Sequence, residues 1–348
     1  MKFLLNILVV TLSIFGALSL PTSAGGKQLS KESISTLSRH AVYADAAYCP
    51  RLLGEVCSAR YRKEEMSYLS KQQLGWLDEL KVMHHFYFKP AKLYAYIGYS
   101  KKYKEVVLGF KGTSFTSFKS VTVNVRQTLV KYKYPDQKST GSSNYMVHQG
   151  YSSAFSGLAR STLIKLEQLA KANIPGSGYK LVIVGHSQGG AVASVAAMEI
   201  KKAYQLQKPI ISKLRAKIPS SHIFLHTFAQ PRIGNKDFAN LVHSVIGVNN
   251  VARVTNYWDL VPSLPSLKDS YFHHPNEIFI TGKHKVVRCK DVANGKAIED
   301  ASCSAAARVL ALYMCSDSNA GVCSEALRSQ FEEHRLSQYV KYLGAAAN

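Results

Sequence analysis

Residues 184–191 read Val184-Gly185-His186-Ser187-Gln188-Gly189-Gly190-Ala191, directly after the run Tyr179-Lys180-Leu181-Val182-Ile183-Val184. The β-branched residues before the motif predict a strand, and the small residues from Ala191 to Met198 predict a helix. Gly-x-Ser-x-Gly in that frame is a sharp strand-to-helix turn that lifts the serine hydroxyl out of a sheet. Gly185 and Gly189 leave room where side chains would meet the crossing backbone. The helix start adds free N–H groups and a positive dipole end beside Ser187, suited to a developing negative charge.

The chain has 348 residues and opens on Met1-Lys2, an apolar run from Phe3 to Leu20, then Pro21-Thr22-Ser23-Ala24. That order predicts a secretory signal over 1–24, cut after Ala24, and a secreted, extracellular product. The rival, an N-terminal membrane anchor, lacks a flanking stop signal. No later stretch is apolar enough to span, so no integral membrane segment is expected after cleavage. Residues 25–348 suffice for a single domain. The six cysteines, Cys49, Cys57, Cys289, Cys303, Cys315 and Cys323, form an even set, and disulfides are the default in a secreted chain. Local spacing favours Cys49 with Cys57 and two bridges among the others. No Cys-x-x-Cys or paired-His spacing supports a metal site, and none is expected. The stretch 289–327 reads as an irregular, cysteine-bearing insertion.

Lys and Arg number 44 against 22 acidic residues, a formal charge of +22. The basic residues are spread along the chain without a nucleic-acid module, so nucleic acid is not an expected partner. An anionic lipid interface or an acidic wall suits a secreted protein better, and plain solubility is the competing reading.

Helices are expected over 28–48, 152–173 and from the motif to about 205, with a final helical stretch holding His334. Strands are expected over 81–89, 93–99, 105–111, 179–184, 221–229, 251–257 and 276–281. The stretch 91–111 reads as a hairpin turning at Ser100-Lys101-Lys102. Strands alternating with helices imply an α/β fold, a mostly parallel or mixed sheet flanked by helices.

A nucleophilic serine needs a base, and the base needs a carboxylate to orient it; on such folds the chain order is Ser, acid, His. Asp259 follows a strand end, where it reads equally as an orienting carboxylate or as a turn residue. Of the 12 histidines, His273, His274, His284 and His334 follow it, and composition does not choose among them.

Four segments together resemble the fungal-type class 3 lipase family of secreted α/β-hydrolases: Gly185 to Ala191, His226-Thr-Phe-Ala-Gln-Pro-Arg-Ile-Gly-Asn235, Asp259-Leu-Val-Pro-Ser-Leu-Pro265 and His334-Arg-Leu-Ser-Gln-Tyr339. The likeness runs over about 40–345. It implies an α/β-hydrolase fold with Ser187 as nucleophile, Asp259 as acid and His334 as base, leaving His273 and His274 structural. It also implies an oxyanion hole from the backbone amides of Gln188 and Thr113, with no cofactor. Three positions depart from the family pattern: Lys111 for Arg, Gln188 for an apolar residue and Ala229 for Gly. The activity implied is hydrolysis of lipid carboxylic esters, as in a triacylglycerol lipase acting at a lipid–water interface. Phospholipase A1 and feruloyl-type or general carboxylesterase are alternatives within the chemistry, and a non-catalytic lipid- or wall-binding protein is one outside it. Phe115, Phe118 and Val121 recur at three-residue spacing, the apolar face of a short lid helix; the rival reading there is strand.

Overall fold

The computed structural model describes residues 26–49, 65–113, 128–135, 144–282, 284–293, 296–300, 302–304 and 332–347. The expected signal segment, the lid candidates Phe115, Phe118 and Val121, and Cys57, Cys315 and Cys323 lie outside them.

Among the described residues the main sheet has nine strands: β1 (Lys27–Gln28), β2 (Lys81–Phe88), β3 (Leu93–Ser100), β4 (Glu105–Phe110), β5 (Lys180–His186), β6 (Ile223–Phe228), β7 (Val251–Asn256), β8 (Glu277–Ile280) and β9 (Val286–Arg288). Their spatial order is β1-β9-β8-β7-β6-β5-β4-β3-β2. From β4 to β8 neighbours run parallel, and both flanks are antiparallel. The helices are α1 (Lys31–Ala46), α2 (Lys71–Asp78), α3 (Gln149–Ser156), α4 (Ala159–Asn173), α5 (Gln188–Gln205), α6 (Ser212–Lys217), α7 (Lys236–Ile246) and α8 (Leu336–Ala347).

Both faces of the sheet are covered, and the two-residue period of a strand shows why. Leu181 and Ile183 point into a core built with α3, α4, α5 and α7; Val182 and Val184 point into the opposite core with α1, α2 and α8. Burial on both sides explains why the strand before the motif is apolar throughout rather than alternating. No helix among the described residues is long and apolar enough to cross a membrane.

Three expectations need correction. The helix expected over 152–173 is two, α3 and α4, broken at Gly157-Leu158. Phe88 packs there so closely that a Cβ on Gly157 would lie 2.4 Å from its ring. α2, α6 and α7 occupy stretches without an expected element. α7 is capped by Asn235, which accepts from the Phe238 amide, and it buries Phe238, Leu241, Val242 and Ile246 on one face. His334 stands in the turn just ahead of α8 rather than inside a helix.

One disulfide, Cys289–Cys303, closes a 14-residue separation, and Cys49 is also disulfide-bonded.

A buried ion pair fixes α1 to the start of β4. Arg39 donates to both Glu105 oxygens at 3.2 and 2.8 Å, and His40 Nε2 donates to Glu105 Oε1 at 3.1 Å. Burial alone disfavours the charged carboxylate, but His40 and Arg39 outweigh it and hold its pKa down at about 2. A depressed carboxylate pKa contributes stability above the ordinary value of 4.5, and that contribution is lost as pH falls toward 2. The stability gap between wild type and Glu105→Gln is therefore expected to be widest near neutrality and to close by roughly 3 kcal/mol between pH 5 and pH 2. Urea unfolding across that range measures it.

Candidate active site

β5 ends at His186 and α5 begins at Gln188, so Ser187 alone makes the turn, with φ 57 and ψ −130. Its amide donates to the Phe228 carbonyl at 2.9 Å, and its own carbonyl accepts from Gly190 at 2.9 Å. The flanking glycines are required by contact. A Cβ on Gly185 would lie 2.3 Å from the Gly189 carbonyl oxygen, and one on Gly189 would lie 2.4 Å from that of Phe110.

Three segments far apart in sequence meet at the serine hydroxyl. His334 Nε2 lies 2.9 Å from Ser187 Oγ. His334 Nδ1 faces Asp259 at 2.9 Å from Oδ2 and 3.1 Å from Oδ1. All three residues are buried. Asp259 also accepts the Tyr339 hydroxyl at 2.7 Å and the Val261 amide at 2.8 Å. With the carboxylate accepting at Nδ1, that nitrogen carries the proton of neutral His334 and Nε2 is free to accept from Ser187. The turn before α8 thus brings His334, Asp259 and Tyr339 together.

The loop bearing Asp259 is held by Arg232. Its guanidinium donates to the carbonyl of Pro265 at 2.8 Å and to that of Ser263, and it pairs with Glu299 at 2.7 Å through Nε. Among the largest fully buried side chains, Arg232 is a clamp with its charge matched. The preceding Ala229 has φ 53, a left-handed conformation that a glycine takes without strain.

A second line of hydrogen bonds reaches His334 through its backbone. His186 Nε2 donates to the His334 carbonyl at 2.7 Å, and Tyr48 bonds His186 Nδ1 at 2.7 Å while accepting from the Gly112 amide at 3.1 Å. Burial, then the neighbouring His334, holds the His186 pKa well below the ordinary histidine value, so the ring is neutral and Nδ1 accepts from Tyr48. This line ties the strand end before Thr113 to the histidine turn. The Thr113 hydroxyl donates to the Gln188 side-chain carbonyl, so the two candidate oxyanion residues touch each other. The Lys111 ammonium lies 5.4 Å from the centre of the Tyr48 ring and 5.1 Å from that of Tyr94, within cation–π range of both.

The other candidate histidines lie elsewhere. His273 donates to the Pro262 carbonyl at 2.7 Å, His274 bonds Gln230, and exposed His284 stacks on Tyr342. Tyr48, His186, Arg232 and Tyr339 were not expected as parts of the site. His186, Arg232 and Tyr339 stand in three of the four segments quoted for the resemblance, and Tyr48 stands outside them. Among the described residues, Glu277, Cys289 and Cys303 are near enough to share an ion, but the two sulfurs are bonded to each other.

The segment 107–268 matches the model of the class 3 lipases. Over those 162 of its 348 residues the chain resembles the class 3 lipases. The chain is 28% identical over 219 residues to the secreted mono- and diacylglycerol lipase 2 of Gibberella zeae, covering 58% of this chain and 50% of that one. It is 31% identical over 180 residues to a lipase of Rhizomucor miehei, covering 51% and 42%. The chain spans about half the length of the curated relatives it matches. In three dimensions it resembles the lipase of Rhizopus microsporus var. chinensis, with TM-score 0.61, 23% identity and coverage of 82% and 86%. The triacylglyceride lipase of Rhizomucor miehei gives TM-score 0.60 at 22% identity, covering 81% and 92%. The fold is that of the α/β-hydrolases.

Tyr339→Phe removes one donor to Asp259 and leaves the ring in place. Hydrogen bonds to charged groups contribute about 2 kcal/mol, and a loss of that size in unfolding free energy is expected by urea titration.

Proposed function

We propose that this chain is a secreted serine hydrolase of the class 3 lipase type that cleaves carboxylic esters of lipids. The observation that carries the proposal is the continuous line Asp259–His334–Ser187, with both imidazole nitrogens in hydrogen-bond contact. His334 Nε2 takes the serine proton as Ser187 Oγ attacks the ester carbonyl, and the resulting imidazolium is stabilised by Asp259. The Thr113 and Gln188 amides receive the tetrahedral oxyanion; one such donor lowers the barrier by about 3 kcal/mol. Collapse expels the alcohol, protonated by His334, and leaves an acyl-enzyme. Water, deprotonated by His334, then attacks it and releases the acid.

Two further observations support lipid esters as substrate and the outside of the cell as location. The matched relatives include secreted mono- and diacylglycerol lipases. One structural neighbour, at TM-score 0.59, is described as a triacylglycerol lipase whose catalytic centre is a serine protease triad. The formal charge of +22 favours an anionic interface as the place where substrate is met.

The test compares hydrolysis of a soluble short-chain ester with that of an emulsified long-chain triglyceride, for wild type and Ser187→Ala. Wild type is expected to hydrolyse both, and Ser187→Ala to lose about 10^6-fold in kcat. Activity confined to aryl or short-chain esters moves the substrate to the general or feruloyl type, and activity that survives Ser187→Ala contradicts the mechanism.

A further inference from the structure

A second histidine relay lies at the opposite end of the sheet. Glu105 and Lys180 open β4 and β5, whereas Ser187 follows the far end of β5, roughly 20 Å along the strand. A cavity of ≈ 390 Å³ opens there between α1 and the sheet, within the size range of small-molecule sites. At its base His40 Nδ1 meets His226 Nδ1 at 2.6 Å, and His40 Nε2 meets Glu105 Oε1 at 3.1 Å.

The proton positions follow from the chemistry of the partners. Ionised Glu105 only accepts, so His40 Nε2 carries a proton. His40 is neutral, with burial first among the causes that lower its pKa, so its Nδ1 accepts and His226 Nδ1 donates. His226, neutral for the same leading reason, is left with a lone pair on Nε2. That nitrogen makes no hydrogen bond to a described residue, and His226 lines the cavity. Glu105, His40 and His226 thus form an oriented base that hydrogen-bonds no serine, threonine or cysteine side chain among the described residues.

The surroundings define what the base can hold. Leu37, Val182, Phe224 and Ile278 give the cavity an apolar wall. At its rim Lys180 and Arg288 are exposed cations with no ion pair among the described residues. Glu105 is already matched by Arg39, which leaves exposed Glu32 as the opposing charge on the lining.

We propose that this cavity is a second ligand site for an alkyl carboxylate, its head group on His226 Nε2 and Lys180, its tail along the apolar wall. A carboxylate and a neutral imidazole both lack the proton needed between them, so binding takes one up from solvent, and His226 becomes the cation that the anion stabilises. The groups facing His226 are His40 and Arg39 from α1, Glu105 from β4 and Lys180 from β5. Burial keeps His40 neutral, and its pairing with Glu105 is kept. The ester hydrolysis proposed above releases acids of this class, and a role as product sensor rests on that reading; the site itself does not.

The test uses the non-hydrolytic Ser187→Ala protein and decanoate below its micellar concentration, by calorimetry in buffers of different ionisation enthalpy. Binding is expected to take up about one proton, so that affinity falls about tenfold per pH unit above pH 7. Acetate and decanol, each lacking one half of the ligand, are expected to bind far more weakly. Adding His226→Gln is expected to remove the proton uptake and weaken binding about tenfold. The surface change Lys180→Ala, which leaves the relay intact, is expected to keep the uptake and weaken binding about threefold. Binding that both variants leave unchanged places the ligand elsewhere, for instance beside Ser187, and overturns the proposal. So do binding without proton uptake, acetate binding as tightly as decanoate, and no binding.

Discussion

The single-residue turn at Ser187 is the constraint on which the rest of the site depends. A non-glycine residue at φ 57 and ψ −130 is in a sparsely populated conformation, a strain of order 1–3 kcal/mol. It persists because the elements on either side are fixed by cores on both faces of the sheet. The contact of Gly185 with Gly189, and of Gly189 with Phe110 and Lys111, lets α5 start directly against the neighbouring strand end. One packing solution thus sets the direction of the serine hydroxyl, the start of α5 and the distance between Gln188 and Thr113. A methyl group at either glycine would move all three at once.

Around that turn two hydrogen-bond lines converge on His334. The first runs through its side chain to Asp259, whose remaining contacts with Tyr339 and Val261 keep the carboxylate aimed at Nδ1. The second runs from the His334 carbonyl through His186 and Tyr48 to Gly112, and fixes the position of the backbone. Each donor in the second line faces an acceptor only while His186 is neutral. Burial enforces that state, and the neighbouring His334 reinforces it. In a buried site such fully paired lines hold geometry, since an unmatched polar group there carries a desolvation cost of 1–3 kcal/mol, about the scale of a hydrogen bond itself.

The strands and the elbow were legible because their signals are local. The β-branched run 179–184, the two glycines and the small-residue helix agree at every level. Helix boundaries were less so. The break at Gly157-Leu158 depends on the Phe88 ring, which arrives from another strand, and no window around 157 contains it. α7 has a strong apolar period and an Asn cap, and it was legible in principle. Asp259 and His334 were selected by resemblance; their own neighbourhoods left a turn residue and four histidines open. Tyr48, His186 and Arg232 act through contacts that span from 31 to 148 positions, beyond any local pattern. Ala229 shows the reverse: a departure noted in sequence became meaningful once its φ was known, because the backbone there takes the conformation glycine prefers.

The central claim is that Ser187 is the activated nucleophile of this chain, made so by its neighbours rather than by its own chemistry. The most direct measurement is labelling with an alkyl phosphonate ester that carries a chromogenic leaving group, followed by mass mapping of the modified peptide. The account predicts a single adduct on Ser187, formed with release of one leaving group per chain and blocked when His334 is replaced. An adduct on another residue, or modification at an unchanged rate without His334, would contradict it.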